Sequence, residues 1–215
     1  MKKLSVLLPL LFAAGCGTSN NYLAQKSTAV EMYHIFDIKT AAPPLEVARA
    51  ATDGLGKNTS SVSSATLLQP GAAVPDKPGR FTIAGAAAAP QPDSTEDSGA
   101  GLKSASCEGA AWTGRAVRTT ALSSKLTLHA CLYAYKEGYQ LDAYTVFQKT
   151  EGGLMRLPRD LAHRLVGTPE EWVNKTIWDM VRSVEAAAQA KATYVEGKPQ
   201  LSPAPGTAQV AASAP

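Results

Sequence analysis

The stretch that decides the fold is "KLTLHACLYAYKEGYQLDAYTVFQK", Lys125 to Lys149. In its first part Leu126, Leu128, Ala130, Leu132 and Ala134 alternate with Thr127, His129, Cys131, Tyr133 and Tyr135, a period of two that reads as a strand with one strongly apolar face. After "KEG" the alternation resumes, with Leu141, Ala143 and Phe147 on one face. Lys136 to Gly138 is therefore a hairpin turn between two antiparallel strands. Working outward, Ala110 to Thr119 reads as a further strand around Trp112 and Val117.

The amino-terminal half adds a strand in "EMYHIFDIKT", where Met32, His34, Phe36 and Ile38 share one face and Tyr33, Ile35, Asp37 and Lys39 the other. Pro43 and Pro44 start a short helix with Leu45, Val47, Ala48 and Ala51 inward, closing near Gly54 or Gly56. "SSVSSATLL" is a candidate second strand, completing a β-α-β order. On the carboxyl side, Leu157, Leu161 and Leu165 suggest a short helix from about Pro158. Thr168-Pro169-Glu170-Glu171 then combines a threonine N-cap, a first-turn proline and a glutamate three residues after the cap, which is a capping box. Val173, Ile177, Met180, Val181, Val184 and Ala188 follow as one stripe. Trp172 and Trp178 on this helix read as core and boundary packing. The expected fold is α+β, a two-layer sandwich of helices on a largely antiparallel sheet.

The leader "MKKLSVLLPLLFAAGCG" has another character. Lys2 and Lys3 precede an apolar run from Leu4 to Phe12 and the small residues Ala13, Ala14 and Gly15, the order of a bacterial export signal. From Leu4 to Ala14 it counts about eleven residues, against the ~20 that a spanning helix needs. Ala13-Ala14-Gly15-Cys16 resembles the lipobox of bacterial lipoproteins. That resemblance implies cleavage before Cys16, lipidation of its thiol and amine, and, because Gly17 rather than aspartate follows, transfer to the outer membrane. At about 0.8 kcal/mol per buried methylene, two or more acyl chains make a durable anchor.

The expected organisation is a signal peptide over 1–15, a lipidated tether over 16–29, one domain over 30–196 and a disordered Ala- and Pro-rich tail over 197–215. Within the domain, about 71–106 reads as a flexible insertion, since Gly71 to Ser106 lacks an apolar period. The formal charge of +3 is small and the basic residues are scattered, so no nucleic-acid partner is expected. The expected partners are the membrane, through the lipid on Cys16, and an envelope protein or the cell wall.

Two cysteines remain beyond Cys16. In an exported domain an even pair suggests a bridge between Cys107 and Cys131, worth roughly 3 to 4 kcal/mol in the chain-entropy picture. If the strands turn near Ala121 to Ser123, Cys131 faces the neighbourhood of Trp112, so Cys107 must fold back to reach it. A thiolate nucleophile is the alternative, with His34, His129 and His163 as the available bases. His34 reads as a core histidine and His163 as solvated. His129, beside Cys131 and Tyr133, is the histidine to keep as a site candidate. No pair has metal-ligand spacing, so neither a metal nor a cofactor is expected. "GLGKNTS", Gly54 to Ser60, departs from a phosphate loop at Ala51 and Asn58. Asp37 and Asp142 are a candidate pair for general acid and base chemistry, as any two carboxylates would be, and otherwise read as solvated strand-edge charge.

The expected function is accordingly a non-catalytic binding or assembly/transport accessory domain on an outer-membrane-anchored periplasmic lipoprotein, with no catalytic residue assigned. An envelope hydrolase built from dispersed residues is the alternative, favoured by a cleft that converges on His129 with a carboxylate and a hydroxyl. A surface-exposed or secreted factor is a third.

Overall fold

The structure, a computed structural model, describes residues 25–67, 73–84, 103–120, 123–152, 161 and 167–202. The leader, Cys16, Gly17 and His163 lie outside them, as do Leu157 and Leu165. Leu161 is described and is 60 % exposed, so it does not join the core as its apolar spacing suggested.

The fold is α+β. Among the described residues eight strands and two helices occur in the order β1 (Gln25–Lys39), α1 (Pro44–Gly56), β2 (Ser61–Thr66), β3 (Thr82–Ala84), β4 (Ser104–Ser106), β5 (Trp112–Thr120), β6 (Ser123–Tyr135), β7 (Gly138–Gly152), α2 (Pro169–Ala188) and β8 (Ala192–Lys198). Six strands form one antiparallel sheet in the order β2-β5-β6-β7-β1-β8, and β3 with β4 makes a separate ribbon. Although β1, α1 and β2 follow one another in the chain, β1 and β2 are not neighbours: β5, β6 and β7 separate them.

The central hairpin has the expected turn, with Tyr135 opposite Gly138. Gly138 has φ +149°, and a Cβ there would lie 2.1 Å from the carbonyl oxygen of Ile38, so no larger residue fits. The apolar face of β6, Leu126, Leu128, Ala130 and Leu132, shares one core with Val47, Ala51 and Leu55 of α1 and Val173, Ile177, Met180, Val181 and Val184 of α2. Each large aliphatic side chain buried here contributes about 1.5–3 kcal/mol.

The capping box of α2 is present, with Thr168 Oγ1 accepting from the Glu171 N–H and Glu171 Oε2 accepting from the Thr168 N–H. Helix α1 lies close to α2 because Gly54 has no side chain: a Cβ would sit 2.5 Å from Met180 Cα. The "GLGKNTS" segment serves this junction. Lys57 Nζ donates to Ser183, Asn58 Nδ2 to Asp179, and the Asn58 carbonyl accepts from Trp172 Nε1. Trp172 is buried, and half-buried Trp178 packs edge-on against Phe36.

Three boundaries differ from those read in the sequence. Strand β1 begins at Gln25, inside the segment expected as tether, because Gln25 to Ala29 continue the pairing with β7. Residues 197–202 extend the domain rather than open the tail: Gly197 and Lys198 pair with β1, Leu201 packs on the core, and Trp178 Nε1 donates to the Ser202 carbonyl. The remainder, 203–215, lies outside the described residues. The 71–106 insertion is likewise not structureless in its described parts. Residues 73–84 and 103–106 form the ribbon and its approach, held by side-chain and backbone groups of the sheet; 85–102 lie outside the description.

Candidate functional site

The sheet has a second face, and the ribbon crosses it. Antiparallel partners point the same way, so this face carries Tyr33, Ile35 and Asp37 of β1, His129, Cys131, Tyr133 and Tyr135 of β6, and Gln140, Asp142 and Tyr144 of β7. Phe81, just before β3, packs against Tyr33 and Tyr144 with ring centroids 6.0 Å and 5.4 Å away. The approach is held by single contacts: the Lys136 N–H donates to the Pro75 carbonyl, and Gln140 Nε2 to the Gly79 carbonyl. Arg80 pairs with Glu196 of β8, and Lys103 with Glu31 of β1 at 3.1 Å.

Asp142 is the anchor of that arrangement. Read in the sequence as a solvated edge charge, it is instead 1 % exposed on a central strand, where its Oδ2 accepts from the Phe81 N–H and its Oδ1 from Gln140 Nε2. Burial pushes its pKa up to about 6, against the lowering effect of those two hydrogen bonds and of Arg80. Asp37 is held separately, by the Tyr135 hydroxyl and Lys39. The two carboxylates therefore have distinct structural partners.

Cys107 and Cys131 form a disulfide with their Cα atoms 5.5 Å apart. Cys131 is opposite Thr113, one position from the Trp112–Leu132 pair, and Cys107 reaches it because β4 folds back over this face. The bridge makes both sulfurs unavailable as nucleophiles in this state. It also fixes one end of the ribbon to the middle of β6.

Beside the bridge, between the ribbon and the β2–β5 side of the sheet, lies a cleft of about 780 Å³. Its floor is a row of cross-strand partners, Ser63 of β2, Arg115 of β5 and His129 of β6, with Thr113 next to them. The ribbon wall supplies Ala84, Ser104 and Ser106, and Glu108 follows at the rim. Arg115 Nε is buried without a hydrogen-bond partner among the described residues. His129 has its pKa lowered to about 4, by burial first and by the neighbouring Arg115 charge second, so its ring is neutral at pH 7.

Of the sequence candidates, the structure brings His129 and Cys107 to this cleft, ties Cys131 to it only through the bridge to Cys107, and leaves His34 elsewhere. His34 is fully buried at the β1–β8 edge, its Nδ1 3.2 Å from the Tyr194 hydroxyl and its Nε2 without a partner. Burial lowers its pKa to about 4. Arg115 and Glu108 were missed by sequence reasoning: each is one charged residue in an ordinary context, and only the register that sets Arg115 against His129 joins them. Among the described residues no cluster of three or more His, Cys, Asp or Glu is placed to hold a metal, and no helix is long and apolar enough to cross a membrane.

No protein-family model matches the sequence, and no curated protein matches it. Among solved structures the chain is similar to TTHA0849 from Thermus thermophilus, at 17 % identity, a TM-score of 0.30, and coverage of 76 % of this chain and 99 % of that one. It is also similar to Ara h 8.0201, at 11 % identity and a TM-score of 0.20, covering 72 % of this chain and 99 % of that one. At these TM-scores neither likeness bears on what the cleft does.

Proposed function

We propose that the protein is an outer-membrane lipoprotein, anchored through Cys16 and facing the periplasm, whose domain is a non-catalytic binding or assembly/transport accessory module. The anchor reading rests on the leader and its lipobox-like end. In this picture α1 and α2 form one layer on the sheet, a two-layer sandwich that leaves the other face for the ribbon and cleft. The observation that carries the non-catalytic part is the state of His129. With a pKa of about 4 it is a weak proton acceptor at neutral pH. It also has no hydrogen bond to a carboxylate or hydroxyl among the described residues, so none of these orients its ring.

The hydrolase alternative has one observation in its favour: Glu108, Ser63 and Thr113 line the same cleft as His129. Crosslinking in living cells, followed by identification of what co-purifies, tests the binding module. Reproducible capture of one envelope component supports it, and turnover of a wall or lipid ester that is lost in His129→Ala favours the hydrolase instead. Fractionation of Cys16→Ser tests the anchor. A variant that still stays with membranes after salt and carbonate washing, at unchanged mature mass, defeats it. Protease accessibility on intact cells separates a periplasm-facing protein from a surface-exposed one.

A further inference from the structure

We propose that the cleft between the ribbon and the β2–β5 side of the sheet is a binding site for a small carboxylate monoanion with a polar body, its carboxylate received by Arg115. The proposal rests on the binding-module reading and names the ligand class that reading leaves open. Four features of the cleft lead to it.

First, Arg115 is a fixed cation on the cleft floor with no ion pair or hydrogen bond to another side chain among the described residues, and its Nε is buried. A buried donor on a charged group is costly to leave unmade. The planar guanidinium fork matches the two oxygens of a carboxylate. Second, the neighbouring His129 is a neutral ring, so it adds a hydrogen-bonding edge without adding charge.

Third, the remaining walls are made of small hydroxyl side chains and alanines, Ser63, Thr113, Ser104, Ser106 and Ala84 among them, without an aromatic or long aliphatic group. Such a lining offers hydroxyls to a ligand's amide or hydroxyl groups and small apolar patches between them, but no deep aromatic or branched aliphatic pocket for a long acyl chain. Fourth, Glu108 at the rim puts a negative charge against any ligand that brings two of its own. One guanidinium against one carboxylate favours a monoanion over a phosphate dianion. About 780 Å³ is within the usual range of small-molecule sites, on the order of 300–1,000 Å³. Two sources share this chemistry, the carboxyl end of a short peptide and an acidic sugar.

The test is calorimetric titration of the full-length, disulfide-intact protein in detergent with four probes: N-acetyl-alanyl-alanine, its carboxyl-terminal amide, glucuronate and glucose 6-phosphate. The expected result is saturable binding of one of the two carboxylates with Kd below about 1 mM, the dipeptide or the uronate arm identifying the source. The dipeptide amide and glucose 6-phosphate should bind at least about tenfold more weakly. Arg115→Gln should lose about tenfold or more, and Arg115→Lys, which keeps the charge without the fork, should fall between. Glu108→Gln should narrow the gap to the phosphate. Should Arg115→Gln fail to fold, the probe series on the wild type and the Arg115→Lys variant decides alone. Binding of neither carboxylate, equal binding of acid and amide, or phosphate bound as tightly as carboxylate overturns the proposal. In that event a partner still captured by crosslinking leaves the binding-module reading standing and moves its site off the cleft; loss of both results ends both.

Discussion

The two faces of the sheet are covered in different ways. On one, residues of α1 and α2 share an apolar core with the strands, in which Ile38, Val47, Leu55, Leu128, Leu132 and Val184 have no solvent exposure. On the other, a ribbon of two three-residue strands is held by one disulfide, one buried carboxylate and a few surface pairs. The first face gains its stability from area, and close packing leaves it little freedom. The second is fastened at points, and between the points it leaves room for a cleft. The packed core and the cleft thus lie on opposite sides of a single layer of strands.

Substitutions that break the packed face should have the largest effect. Leu128 is fully buried between sheet and helices, so Leu128→Ala should cost about 2–5 kcal/mol in denaturant unfolding. A cost under about 1 kcal/mol would mean that the helices do not press on the sheet as described. On the ribbon face, Cys107→Ser with Cys131→Ser removes the bridge across 24 positions. The expected cost is about 3 kcal/mol, and the ribbon should become the first site of proteolysis while β6 and β7 stay protected. Retained stability and an uncut ribbon would show that the side-chain contacts suffice without the bridge. Thr168→Ala removes one half of the capping box at the start of α2, with an expected loss of about 1 kcal/mol. It should leave the cleft unchanged, read by the same carboxylate titration.

The same contrast explains what could be read from the chain. The packed face repeats its signal: Leu126, Leu128, Ala130 and Leu132 for the strand, Val173, Ile177, Met180 and Val184 for the helix, each residue confirming the period of the last. The ribbon strands are too short for a period to emerge, and their residues, "TIA" and "SAS", resemble a linker. Their fixation comes from elsewhere, through Asp142, Gln140 and Cys131 on distant strands. For that reason Asp142 looked like an edge charge and residues 73–84 like a loop. Cysteine parity pointed to the bridge because a pair needs no register. Arg115 needed the β5–β6 register before it could be placed beside His129, so the cleft was only half visible, through its histidine.

The smallest effect is expected from mild acidification, because the buried titratable groups oppose one another. His34 and His129 have folded pKa values lowered from 6.5 to about 4. Their contribution to stability is full above pH 6.5 and is lost as pH falls toward 4, since the unfolded chain takes up protons that the folded one refuses. Asp142 has its folded pKa raised from 3.8 to about 6, so its contribution is full below 3.8 and is lost as pH rises through 6. Between about pH 7 and pH 6 the two histidines therefore destabilise the fold on acidification, while the aspartate begins to stabilise it. The net change in Tm should be a small fall. His129→Gln should reduce that fall, and Asp142→Asn should steepen it, because only the opposing gain has been removed. If the Asp142→Asn profile runs parallel to that of the wild type, the carboxylate under the ribbon does not titrate in this window. The ribbon would then be fastened by a carboxyl group that keeps one protonation state throughout, and the contrast between the two faces would lose its pH dependence but keep its geometry.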